Sequence, residues 1–238
     1  MEQFWIVLIV IAASLIKGIT GFGFALVALP PLLIWYAPAE IIPVLVLSNL
    51  AASVMIILQQ SGQHRIGDKF ISLIFWGAVF SLVGVMTLSY FRAELLIRIM
   101  SIFFITIAAL SLVGVRRTVN PPTYVYRIAG SLFGFLTGSI SVGGPPLALF
   151  LDAVNVSNQQ FRVIFSWFSI VSSCVALMGY GISGMLTLEM FKTAALFLPV
   201  LFAGSYIGKR INQHVPVAVF KKIVLLVTLA ASVFLLLK

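Results

Sequence analysis

Hydrophobic and polar positions along this chain do not alternate; they come in blocks. Apolar runs cover residues 4–33, 41–60, 70–91, 95–114, 124–151, 161–181, 189–208 and 217–237. Each is roughly twenty residues or longer, enough to cross a bilayer core of about 30 Å as a helix. The pattern predicts an all-α polytopic membrane protein with no room for a soluble domain.

Two of the runs carry interruptions that a plain spanning helix has no reason to contain. Lys17-Gly-Ile-Thr-Gly-Phe-Gly-Phe-Ala-Leu-Val-Ala-Leu-Pro-Pro31 has glycines at its middle and a proline pair at its end, and the stretch from Gly134 to Leu151 has Gly143 and Gly144 followed by Pro145 and Pro146. Sliding the chain on itself by 120 residues brings Gly18 onto Gly138, Gly23 onto Gly143, Ser53 onto Ser173 and Gly84 onto Gly204. The same offset superposes the hydropathy pattern. The expectation is two four-segment repeats, 1–115 and 124–238, each opening with a broken or re-entrant helix. They are joined by the basic, proline-containing link Arg116–Thr123. Broken segments at matching places in two halves point to a transporter's binding site.

Basic residues test how the broken segments sit in the membrane, because cytoplasmic loops carry an excess of Lys and Arg. If every run crosses, the basic residues other than Lys17 divide evenly between the two sides. If 4–33 and 124–151 instead return to their own side as hairpins, Arg65, Lys69, Arg116, Arg117, Arg127, Arg162, Lys209, Arg210, Lys221 and Lys222 fall together. Only Arg92, Arg98, Lys192 and Lys238 oppose them. The hairpin arrangement therefore recovers a bias, puts both termini outside, and makes the repeats inverted.

Composition agrees. The chain is 61% hydrophobic and 9% charged, with a mean hydropathy of +1.16, where about a quarter of residues in soluble domains are charged. The net charge of +9 is spread over segment ends, so orientation explains it without a nucleic-acid partner. Glu2, with no basic residue before the first apolar run, argues for a retained segment rather than a signal peptide. The lone Cys174 excludes an internal disulfide and a Cys-pair metal or redox site, and reads as a packing residue. Small residues at every fourth position (Gly130, Gly134 and Gly138; Ser14 and Gly18; Gly204 and Gly208) read first as close helix contacts in lipid.

A helix stopped in mid-membrane leaves backbone N–H and C=O groups unpaired, tolerated only where buried in protein or lining a wet cavity. The breaks should therefore face inward. Gly21, Phe22 and Gly23 expose backbone N–H groups, with Thr20 as the expected cap of the half-helix that follows. Ser139, Ser141, Gly143 and Gly144 precede Pro145, which suits a helix's first turn. Two half-helix N-termini near the midplane would offer an anion site made of backbone, and Lys17 would add a charge that at membrane depth is costly and usually functional; snorkelling to the interface is the competing reading. Asn49 and Trp167 rise above the neighbouring serines Ser48, Ser53, Ser166, Ser169 and Ser173, which more often bond a backbone. Glu40 and Asp152 could relay protons, but both lie near loops, where solvation explains them.

Enzyme readings do poorly. Ser139-Ile-Ser-Val-Gly143 lacks the leading glycine of a nucleophile elbow. There is no His-Glu-x-x-His, and Leu26 stands where a dinucleotide fingerprint needs its third glycine. No cofactor is implied.

At these same residues the chain resembles the TauE/SafE family of sulfite and organosulfonate exporters. Gly18-Ile-Thr-Gly-Phe-Gly-Phe-Ala-Leu-Val-Ala-Leu-Pro30 looks like the family's first motif and Gly134-Phe-Leu-Thr-Gly-Ser-Ile-Ser-Val-Gly-Gly-Pro-Pro146 like its second, and the similarity covers essentially the whole chain. The resemblance implies a secondary carrier of small sulfur-containing anions (sulfite, sulfoacetate or related sulfonates) in a bacterial cytoplasmic membrane, working by alternating access. The partners expected are the anion and the lipid bilayer, with a homodimer left open. Competing readings are a channel-like or structural membrane protein, a carrier of another small anion, and a cation carrier, which Lys17 opposes by charge.

Overall fold

A computed structural model describes residues 2–20, 23–58, 66–113, 120–211 and 233. Among them the chain is helical: α1 (Glu2–Thr20), α2 (Phe24–Leu32), α3 (Pro38–Leu58), α4 (Asp68–Tyr90), α5 (Ala93–Val113), α6 (Thr123–Ile140), α7 (Gly144–Ala153), α8 (Asn158–Ile182) and α9 (Leu188–Ile211). Four spans are long and apolar enough to cross a membrane among the described residues: Pro38–Leu58, Asp68–Tyr90, Gln159–Ile182 and Leu188–Gly208. The run 217–237 lies outside the described residues apart from Val233.

The apolar run 4–33 is divided into α1 and α2, and 124–151 into α6 and α7, as the glycines and prolines predict. The helices cluster into two compact units. One holds α1, α2, the start of α3, α5 and α9; the other holds α3 from Val46 onward, α4, α6, α7 and α8.

Within the second unit α4 lies against α6 along a stripe of small residues. A Cβ added to Gly130 would meet the backbone of Leu73, one on Gly134 the backbone of Gly77, and one on Gly138 the backbone of Ser81. The pairs climb together along both helices, so α4 and α6 run parallel at backbone contact distance. The opposite face of α4 is large and exposed, with Ile71, Phe75, Val79, Met86 and Tyr90 outward, while Leu73, Gly77, Ser81, Gly84 and Leu88 are buried. Small-inside, large-outside is what lipid favours, because helices associate there by close packing rather than by hiding apolar surface. The first unit repeats the device: Gly204 faces Ser14, and Gly208 faces Leu15 and Gly18, so α9 runs parallel to α1.

α8 also runs parallel to α4. The ring of Phe168 fills the space beside Gly77, and Gly179 faces Leu82 and Val85 farther along. α7 takes the other direction. Its Phe150 stacks edge-on with Tyr126, at 5.2 Å between ring centroids, and lies 5.9 Å from Phe133. Both partners are on α6, so α7 returns alongside the helix that precedes it.

Candidate functional site

The second break shows how a helix is ended without leaving polar backbone bare. α6 stops because Ser141 takes a left-handed conformation, φ 57°. This turns the Ser141 N–H back to Thr137 O at 3.0 Å and the Val142 N–H to Leu136 O at 3.2 Å. Side chains cover the carbonyls beside these. Thr137 Oγ1 donates to Phe133 O at 2.8 Å, Ser139 Oγ to Phe135 O at 2.7 Å, and the fully buried Tyr180 hydroxyl on α8 to Gly138 O at 2.5 Å. On the acceptor side, the carbonyls of Leu136, Thr137 and Gly138 are thus satisfied internally.

The donor side is not. The first N–H groups of a helix have no intrahelical partner, and here two of the first-turn positions are Pro145 and Pro146, which have no N–H. Leu147 N–H is already spent on Gly143 O at 3.2 Å. Gly143 and Gly144 therefore supply the N–H donors of this tip. Gly143 fits because a Cβ there would meet Phe133 O and Thr137 Oγ1. The tip can thus present donors and positive dipole to an anion.

Asn49 on α3 reaches the same turn, its Nδ2 donating to Ser141 Oγ at 3.4 Å. Ser139 and Ser141 are both buried, Ser139 with its hydroxyl already given to Phe135 O. On α8, Phe165 touches the Cβ position of Gly144, and the neighbouring Ser166 has a buried hydroxyl with no hydrogen-bond partner among the described residues. Trp167 is 41% exposed on α8, and no described contact joins it to the turn.

In the first unit Gly23 caps α2 with φ 91°, a left-handed value that glycine adopts without strain, and among the described residues no side chain caps the helix. This corrects the expectation for Thr20, which closes α1 instead of opening α2. Gly21 and Phe22 lie outside the described residues. Lys17 is 4% exposed, with Nζ 6.0 Å from the ring centroid of Phe24, the first residue of α2. It is buried inside the protein rather than extended to an interface, against the snorkelling alternative. Lys17 and Gly23 belong to the first unit; Asn49, Ser139, Ser141, Gly143, Gly144 and Trp167 belong to the second. Glu40 has a local role, its carboxylate accepting from the Ala37 N–H at 3.0 Å at the start of α3, and Asp152 sits exposed at the end of α7.

Tyr180 had no signal in the sequence, since one tyrosine near the end of an apolar run looks like an interfacial residue. Tyr180→Phe is expected to cost about 1 kcal/mol by exposing the Gly138 carbonyl to an apolar surrounding. Thermal denaturation in detergent checks this, with Tyr90→Phe on the exposed end of α4 leaving the midpoint unchanged.

A family model described as Sulfite exporter TauE/SafE matches residues 6–235. No curated protein and no solved structure matches the chain.

Proposed function

Because the chain belongs to the sulfite exporter TauE/SafE family, a family of membrane transporters and not of enzymes, we propose that it is a secondary carrier of small sulfur oxyanions or sulfonates in a bacterial cytoplasmic membrane. The residues proposed to take up the anion are those of the helix breaks and their neighbours: Lys17, Thr20, Gly21, Phe22 and Gly23 in the first half, and Ser139, Ser141, Gly143 and Gly144 in the second, with Asn49 and Trp167 as further contributors. The observation that carries this reading is the chemistry of the α7 tip, where Pro145 and Pro146 have no N–H, Leu147 N–H is spent on Gly143 O, and the N–H groups of Gly143 and Gly144 are left as its donors. The sulfite dianion and the sulfonate group offer several acceptor oxygens and no donor of their own, so they match N–H donors.

The repeats 1–115 and 124–238 are read as inverted, each with a re-entrant first pair. If 124–151 crossed the membrane once, α4 and α8 would run in opposite directions. Their parallel course and the return of Phe150 to Tyr126 support a hairpin that leaves on the side it entered. Transport follows by alternating access, the break residues opening to one side and then to the other.

Binding of sulfite, sulfoacetate, taurine and thiosulfate to purified protein, with uptake into vesicles, tests the proposal. Saturable binding of at least one sulfur anion is expected, weakened about tenfold by Asn49→Leu, which removes roughly one hydrogen bond from the Ser141 turn. Absence of binding and uptake for the whole panel would overturn it.

A further inference from the structure

Among the described residues α3 alone has residues in both compact units; Pro38–Leu45 belong to the first and Val46–Leu58 to the second. Tyr90 and Phe91, at another boundary, form the bend between α4 and α5, and Thr187 and Leu188 sit at the start of α9. Chain can articulate at such bends with little penalty. A continuous helix cannot, unless its hydrogen-bond ladder is broken.

The ladder of α3 is broken two residues before the boundary. Pro43 lies inside the helix; it has no N–H to give Ala39 O, and its ring crowds that carbonyl. Proline is among the few identified causes of sharp helix bends. On either side of it α3 is held. The part before it is capped by Glu40 on the Ala37 N–H and buries Ile41 and Ile42. The later part is fastened to its own unit by Asn49 on Ser141. The corresponding helix of the second half, α8, has no proline and lies within one unit.

We propose that α3 is a hinge, bending at Pro43, through which the unit carrying Lys17 moves relative to the unit carrying the Ser141 turn. The uptake arm of its test rests on the transporter reading above; the distance arm does not.

The test uses full-length protein in lipid nanodiscs with Cys174→Ala, spin-labelled at Ile99→Cys on α5 and Met178→Cys on α8. Both sites are exposed, one on each unit. Pro43→Ala restores the missing backbone bond and so does not threaten folding. It is expected to narrow the label–label distance distribution about twofold and to slow uptake of a sulfur anion about tenfold, without weakening its binding. Pro199→Ala, in α9 and therefore inside one unit, should leave the distribution as it was. A distribution unchanged by Pro43→Ala, or narrowed equally by Pro199→Ala, overturns the hinge. If no sulfur anion binds at all, the transporter reading fails while the distances still decide the hinge.

Discussion

Gly134→Val is expected to leave almost no folded protein. The first added carbon would land on the carbonyl oxygen, carbonyl carbon and Cα of Gly77, and backbone cannot rotate aside as a side chain can. Relief requires α4 and α6 to separate, which would also pull Leu73 from Gly130 and Ser81 from Gly138. In lipid, close backbone packing is the main source of helix association, so separation loses the attraction as well as adding strain. Overpacking a core costs about 1–3 kcal/mol where neighbours can shift; here they cannot, and a cost at or above the top of that range lowers the folded-to-unfolded ratio about a hundredfold or more. Size-exclusion chromatography of fluorescently tagged protein should show the monodisperse peak lost for Gly134→Val. Gly181→Ala is the control, since its new carbon meets only Leu186 Cδ1 at 3.5 Å, an ordinary contact. A monodisperse peak for Gly134→Val would mean that α4 and α6 are not packed at backbone distance.

The stripe that makes Gly134 vulnerable was legible in the sequence; its partner was not. Glycines at every fourth position announce that a backbone comes close, but not which one. The answer exchanges material between the halves, with α4 of the first against α6 of the second and α9 of the second against α1 of the first. Only tertiary packing decides such non-local pairings. The breaks were legible for a related reason, since glycine and proline act on the backbone where they stand. Their detailed ends were less so. Thr20 looked like a cap because threonine caps many helices, yet the left-handed Gly23 opens α2, three residues later. Ser139 and Thr137 turn their hydroxyls on carbonyls of their own helix, the ordinary habit of such residues in apolar surroundings.

Lys17→Met is expected to separate stability from function. Methionine matches the lysine side chain in length up to its ammonium, so most of the packing beside Phe24 survives, and the cost of holding an ammonium in a buried site disappears. That cost is about 3 kcal/mol or more at membrane depth, partly offset in the folded protein by whatever the ammonium contacts there. The fold should therefore be as stable as wild type or more so. In the transporter reading, a bound anion offsets part of the same cost. Removing the charge should weaken binding of the sulfur anion about a hundredfold, equivalent to about 2.7 kcal/mol, the scale of a charge-assisted hydrogen bond in a dry site. Lys17→Arg keeps the charge in a bulkier, planar head and should retain part of the binding. Calorimetric binding and thermal denaturation on the same three proteins read both effects. Wild-type binding by Lys17→Met would remove Lys17 from the site, and a large fall in its thermal midpoint would make the lysine a structural element of α1 instead.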